Sequence, residues 1–321
     1  MNRRQMLAAV AALAALRPAF AQSGFPSRTV RIVVPFAPGG TTDHVSRLIA
    51  TELAKLWGEG VVVENKPGGG TIIGVDTVAK APADGYSLVT VTGSFAVNPS
   101  LMPKLPYDTA KDLRPVAMLA KSDHVLVVHP SVAAAGLREF VALAKANPGK
   151  FAYASFGNGT SAHLAGEALN LQAGLDLVHV PYKGQAPALA DVMGGQVQAV
   201  FANLPEVLPQ IRSGRVKALG LAAKERSAMA PDIPTLAEQG YAGLESSSWS
   251  GLLAPAGTPD AVVEKINHDV NAILATAETR KAVEDGGITP QPATPEAFGR
   301  FLRAEIDRYA VVIRKVGITK D

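Results

Sequence analysis

Apolar residues recur along this chain in two alternating rhythms. Val30-Arg31-Ile32-Val33-Val34 is a short run of the kind a buried strand carries. Over residues 41–57, Val45, Leu48, Ile49, Leu53, Leu56 and Trp57 fall on one face at helical spacing. The alternation then repeats. Strand runs are predicted at residues 61–63, 88–91, 116–119, 125–128, 151–154, 177–180, 197–201 and 218–222, with helical stretches between most of them. Two helices close the chain, one from Pro259 to about residue 277 and one over residues 296–316. Such βα alternation predicts an α/β fold with largely parallel sheets. No repeat or Pro/Gly/Ser tract divides the chain, so any break between domains is a short, rigid hinge.

The first residues read as an address. Arg3 and Arg4 precede an Ala-rich apolar run, and Ala19-Phe20-Ala21 places small residues where a signal peptidase reads. Residues 1–21 are therefore expected to be a cleaved signal peptide, since the run is shorter than the about 20 apolar residues of a membrane span. The paired arginines leave open the twin-arginine route beside the general one. Removing this segment takes away three arginines and no acid. Lys+Arg falls from 31 to 28 against 28 Asp+Glu, and the net charge falls from +3 to zero. A neutral chain with no basic stripe argues against nucleic-acid binding. About 300 residues remain, enough for two domains of ordinary size. The chain has no cysteine, which excludes a disulfide framework and a thiolate metal site.

Two turns concentrate candidate chemistry. Pro35-Phe36-Ala37-Pro38-Gly39-Gly40-Thr41-Thr42-Asp43 leaves a strand and opens a helix. Glycine lets backbone come close to a ligand. The first helical turn offers unpaired N–H groups and positive dipole, and the threonines add hydroxyls. That is an anion site without a charged side chain. Asp43 would repel a carboxylate if it faced one, and suits the helix dipole and the loop instead. Ser155-Phe156-Gly157-Asn158-Gly159-Thr160-Ser161-Ala162-His163 repeats the design, with a helix expected from about Thr160. Each turn alone also reads as a plain helix cap. Two facing each other would hold two sides of a small acid. A third glycine stretch, Gly68-Gly69-Gly70-Thr71-Ile72-Ile73-Gly74, fails the dinucleotide spacing and reads as a tight turn.

Enzyme signatures are missing from the sequence. It contains no His-Glu-x-x-His and no Gly-x-Ser-x-Gly. None of its six histidines forms a metal-ligand pair at helical spacing, so neither metal nor cofactor is expected. Ser161 and His163 invite a nucleophile–base reading, but two residues apart on a helix they point in different directions. His163 then reads as a cap neighbour or a donor on the pocket wall.

At these turns the sequence resembles the Bug family of extracytoplasmic solute receptors, which serve tripartite tricarboxylate transporters. The likeness covers essentially the whole mature chain. It is carried by Arg31-Ile32-Val33-Val34-Pro35-Phe36-Ala37-Pro38-Gly39-Gly40, Glu64-Asn65-Lys66-Pro67-Gly68, Ala81-Pro82-Ala83-Asp84-Gly85-Tyr86 and Asn98-Pro99. Further along come Val180-Pro181-Tyr182-Lys183-Gly184, Pro234-Thr235-Leu236-Ala237-Glu238 and Trp249-Ser250-Gly251-Leu252-Leu253-Ala254-Pro255. The pieces are short; their order along one chain is specific. Thr71-Ile72-Ile73 is bulkier than the polar residue often found there in the family, so if that loop borders the pocket the resemblance implies a ligand less polar than a typical dicarboxylate.

The resemblance implies a two-domain Venus-flytrap fold, the type II periplasmic-binding-protein architecture, with two hinge crossings. We expect residues 22–122 with 225–321 in one domain and residues 123–224 in the other. The implied ligand-binding residues are Phe36, Pro38, Gly39, Gly40, Thr41, Thr42 and Asp43 in the first turn. In the second they are Ser155, Gly157, Gly159, Thr160, Ser161 and His163, with Tyr182, Lys183 and Gly184 at the border. The implied activity is capture of a di- or tricarboxylate, an acidic amino acid or an aromatic acid in the periplasm, and delivery to membrane permease subunits. The receptor is expected to be a monomer. A sensor feeding a signalling system remains an alternative, as does an α/β enzyme acting on small acids.

Overall fold

The computed structural model describes residues 24–102, 104–285 and 288–317. The expected signal segment, residues 1–21, lies outside them. Ten strands are described: β1 (Val30–Val34), β2 (Val61–Asn65), β3 (Ser87–Thr92), β4 (Leu113–Val128), β5 (Ala152–Ser155), β6 (Val178–Pro181), β7 (Ala199–Asn203), β8 (Lys217–Leu221), β9 (Ser247–Pro255) and β10 (Thr289–Pro290). The helices in chain order are α1 (Thr41–Trp57), α2 (Ile72–Ala79), α3 (Gly93–Leu101), α4 (Leu137–Lys145) and α5 (Ser161–Ala173). They continue with α6 (Gln185–Met193), α7 (Leu204–Arg212), α8 (Asp260–Ala275), α9 (Ala277–Asp285) and α10 (Pro295–Val316).

The strands form one curled sheet in the order β2-β1-β3-β9-β4-β7-β5-β6, with β8 and β10 also paired to β4. Apolar residues on successive positions of a strand face opposite sides. Ile32 and Val34 therefore join Val45, Ile49 and Leu53 of α1 on one face, while Val33 joins Phe298 and Leu302 of α10 on the other. The β5–β7 half repeats the arrangement, with Tyr153 and Phe201 on one face and Ala154 and Val200 on the other. Burial on both faces explains why the strands read as continuous apolar runs.

The sequence predicted two strands at residues 116–119 and 125–128; the structure has a single 16-residue strand, β4. Its first part, to Asp123, pairs with β9, and its second part, from His124, pairs with β7. The expected largely parallel sheet is mixed. The β1–β2, β1–β3, β5–β6 and β5–β7 pairs are parallel, whereas β4 runs antiparallel to all its partners. An apolar run carries no sign of strand direction, so the pattern could not distinguish them.

The chain passes between the halves of the sheet twice, and the passages touch. Backbone N–H of His124 donates to Ser246 O at 3.0 Å, and that of Ser246 donates to Ala222 O at 2.8 Å. The buried His124 ring meets the Ser246 and Ser248 hydroxyls at 2.9 and 3.1 Å. Leu236 and Leu244 pack in the same core as Tyr153 and Phe201, beyond the limit at 225 expected from sequence. No described helix is long and apolar enough to cross a membrane.

Candidate functional site

A cavity of about 470 Å³ opens between the two halves of the sheet. That size suits a small molecule. From the first half it is lined by Phe36, Thr41, Thr42, Thr92, Gly93 and Ser94, and from the second by Phe156, Thr160, Ser161, Lys183, Gly184 and Gln185. Asn203, Glu206, Ser248, Trp249 and Ser250 complete much of the wall. The starts of α1, α3, α5, α6 and α7 all reach it. Each of them follows a strand end, where α/β sheets place their ligands.

The first turn is braced from behind. Gly39 takes a φ of 90°, in the left-handed region, and its N–H donates to Oδ2 of Asp43 at 2.9 Å. Arg47 Nε donates to the same oxygen at 3.0 Å, and Asn65 Nδ2 to Oδ1 at 2.8 Å. Asn65 Nδ2 also donates to Phe36 O at 3.0 Å, tying the loop to the end of β2. Burial pushes the Asp43 carboxyl up. The bonds from Arg47, Gly39 and Asn65 outweigh burial and hold it at about 2. Asp43 is thus a buried strut.

The second turn is built alike. Gly159 has a φ of 72°, and its N–H donates to Nδ1 of His163 at 3.0 Å. Thr160 caps α5: its hydroxyl accepts the His163 N–H and donates to Gly157 O at 2.8 Å. His163 stacks on His179 with ring centroids 3.9 Å apart, and His179 Nε2 meets Ser155 Oγ at 2.6 Å. Burial lowers both imidazoles to about 4, and for His163 the neighbouring His179 adds to it. The His163 ring spends Nδ1 on the Gly159 N–H, and among the described hydrogen bonds none joins it to the Ser161 hydroxyl, so the two are not arranged as a nucleophile–base pair.

Of the residues expected to touch ligand, Phe36, Thr41, Thr42, Thr160, Ser161, Lys183 and Gly184 line the cavity. Pro38, Gly39, Gly40, Asp43, Ser155, Gly157, Gly159, His163 and Tyr182 are not among the lining residues. The physical reason is that several are spent on the loops themselves. The Gly39 and Gly159 N–H groups, expected to face an anion, are taken by Asp43 and His163, and the Thr160 N–H goes to Gly157 O. Tyr182 packs, partly buried, against the edge of the core beside Val180, with its hydroxyl donating to Asp191 at 2.6 Å. The N–H groups at the starts of α1 and α5, at Thr41, Thr42, Ser161 and Ala162, precede the first possible intrahelical acceptor and stay available. The 68–73 loop does not reach the cavity lining, so its bulk says nothing of the ligand.

Sequence reasoning passed over Thr92, Gly93, Ser94, Gln185, Asn203, Glu206 and Trp249. A signal existed for some. Gly93-Ser94 follows the apolar β3 run, and Asn203-Leu204-Pro205 is a helix start with Pro in its first turn. A Cβ added to Gly93 would come 4.0 Å from the Ser161 Cβ, so the α3 and α5 starts nearly meet across the cleft. Trp249 was noticed only within a motif. Its Nε1 donates to Glu305 at 3.1 Å, and Glu305 holds Arg308, which reaches Glu245 O beside the crossing. Among the described residues, no group of His, Cys, Asp and Glu is arranged to hold a metal.

The family model of the tripartite tricarboxylate transporter family receptor matches residues 45–318. The chain belongs to that family. Protein BugT of Bordetella pertussis is 38% identical over 322 residues, covering 99% of each chain. Two solved structures from Rhodopseudomonas palustris are similar: Rpa4515 with adipate and MatC with bound malate. Rpa4515 is 33% identical with a TM-score of 0.77, over 92% of this chain and 100% of that one. MatC is 35% identical with a TM-score of 0.75, over 90% and 100%. The fold is therefore the periplasmic solute-binding architecture of the TctC and Bug receptors. This member is a solute-binding receptor and not an enzyme.

Proposed function

We propose that this receptor takes a small carboxylate between two lobes in the periplasm and presents it to the permease subunits of a tripartite transporter. One lobe is residues 22–122 with the chain after about 246, the other the segment between. This moves the second limit from 225, because Leu236 and Leu244 pack in the second lobe's core. The export signal is residues 1–21, cleaved after Ala21. Both lobes must face the permease, which suits a monomer.

The observation that carries the reading is that α1 and α5, one from each half of the sheet, start at the same cavity, with the N–H groups of Thr41 and Thr42 and of Ser161 and Ala162 left available. The adipate and malate held by the two relatives support a carboxylate as the anion. Binding by helix starts and hydroxyls from both lobes makes the closed form favoured only when ligand bridges them.

A thermal-shift screen against succinate, citrate, glutamate, nicotinate and phthalate tests it. A ligand that binds the folded state alone raises the melting temperature. Thr41→Ala and Ser161→Ala should each weaken the acid that binds by about 1–3 kcal/mol. A panel without any shift on ligand-free protein overturns the carboxylate, and full affinity in both variants overturns the two-helix site.

A further inference from the structure

Among the described residues lining the cavity, the charged side chains are Glu206 and Lys183. Lys183 stands exposed at the border. Glu206, in the first turn of α7, is half-buried in the wall and joins none of the described ion pairs. Asn203 Nδ2 donates to its Oε1 at 3.1 Å. Its Oε2 makes none of the described hydrogen bonds and keeps access to solvent. The elements around Glu206 bring it no opposite charge. α7 packs on β4 and β7. From β7 comes the Asn203 amide. From β4 comes His124, held between the Ser246 and Ser248 hydroxyls and kept neutral by burial, which lowers it to about 3. Lys121 and Asp123 on β4 pair with each other at 2.7 Å. The α6 start brings Gln185, whose Oε1 is spent on the Asn203 N–H, and the loop after β8 brings Ala230 and Ile233. Burial raises the Glu206 carboxyl above its usual range, and the Asn203 bond offsets part of that.

An acid in the wall of an anion site has a consequence for binding. A carboxylate at the starts of α1 and α5 puts a second negative charge into the cavity that Glu206 lines. A rounded cavity of about 470 Å³ is on the order of 10 Å across, comparable with the screening length of salt. Where two carboxylates share one site, one of them keeps its proton well above the usual range. The ligand has helix starts and threonine and serine hydroxyls to hold its charge, whereas Glu206 has one amide. The proton therefore belongs on Glu206.

We propose that capture of the anion is coupled to uptake of one proton from solvent, taken by Glu206 at Oε2. The ionised side chain repels the ligand; the protonated one offers the cavity an O–H donor instead. Bound ligand favours the protonated form, so binding is tightest at acid pH and weakens as pH rises and the free cavity loses that proton. This deepens the carboxylate-receptor reading and rests on it.

Calorimetric titration of succinate, citrate, nicotinate and phthalate into the purified protein tests the coupling. Two buffers with different heats of ionisation at pH 6.5 count the protons taken up, in the wild type and in Glu206→Gln. The variant keeps the shape of the protonated acid and cannot ionise. Protons taken by the ligand itself appear in both proteins, so the wild type should take up more. At pH 8 Glu206→Gln should bind the same acid about tenfold more tightly than the wild type, with the two converging toward pH 6. Equal proton uptake in both, or a variant that binds no more tightly at pH 8, overturns the proposal and leaves the receptor reading standing. If none of the four acids binds either protein, both fall. Should the variant not fold, a wild-type affinity that does not weaken between pH 6 and 8 overturns the coupling alone.

Discussion

The backbone N–H of Gly159 donates to Nδ1 of His163, four residues on, at 3.0 Å. The bond holds the left-handed glycine in place and puts the ring's proton on Nε2. The other turn repeats it with Gly39 and Oδ2 of Asp43 at 2.9 Å. In both, a side chain from the first turn of the helix reaches back to fix the loop that leads into it. The two braces titrate in different ranges, which separates their effects.

His163 and His179 sit at about 4, and burial lowers His124 to about 3. In the unfolded chain all three take a proton near the ordinary imidazole value of 6.5. The unfolded state therefore binds more protons below that pH, and stability falls as pH drops from 6.5 toward 4. One such histidine is worth on the order of 3 kcal/mol across the range. Melting temperature should be flat above pH 7 and decline steeply below 6.5. His163→Phe should lower it at pH 7.5, where Gly159 loses its acceptor, and make the acid decline shallower.

Asp43 loses its contribution in the same direction, but over a lower range. Its carboxyl, held at about 2 against 3.8, contributes stability above pH 3.8 that is lost as pH falls toward 2. Between pH 7 and 4.5 its contribution is constant. Asp43→Ala should cost about 1–3 kcal/mol at pH 7 by stranding Gly39 N–H, Arg47 and Asn65. Urea titration at pH 7 and at 4.5 should give the same difference from wild type at both.

Glu305 joins the cavity wall to the crossing. It accepts Trp249 Nε1 and holds Arg308 at 2.8 Å, and both charged groups are largely buried. Glu305→Ala would leave the arginine uncompensated, at a cost of about 3–5 kcal/mol. Trp249→Phe keeps a ring in the wall and loses one bond, about 1 kcal/mol. Similar losses in both, by urea titration, would show that Arg308 does not depend on Glu305.

Gly166 in α5 has no room for a side chain. A Cβ there would lie 2.1 Å from Cε2 of the buried Tyr153. Tyr153 in turn donates to Glu167 at 2.6 Å, so its ring has little freedom to yield. Gly166→Ala should destabilise by about 1–3 kcal/mol despite alanine's better helix propensity. It should also weaken ligand binding, because the start of α5 moves with it. An unchanged melting temperature would refute the tight packing.

Much of the local structure was legible. The span of α1 is the one its apolar stripe predicted, because periodicity follows from which face is buried. The capped start of α5 at Thr160 was readable for the same local reason. The continuity of β4 through Lys121-Ser122-Asp123 was not, since polar residues there look like a loop until β9 pairs with them. Within the cleft, the Thr41–Thr42 and Thr160–Ser161 pairs were found from turn chemistry. Asn203 and Glu206 were not, because nothing near them in sequence distinguishes a cavity wall from a capped surface helix.

By itself the sequence determined the rhythm of strands and helices, the two glycine turns, and the family. These depend on residues close in the chain or on their order along it. Tertiary structure decided which N–H groups remain free, since Asp43 and His163 fold back over their own glycines. It also decided what completes the cavity, because Gln185, Asn203 and Glu206 meet the α1 and α5 starts only when the two halves of the sheet face each other. Hydrogen bonds and cavities are set by distances in space, and for residues this far apart in the chain only the packed fold fixes those distances.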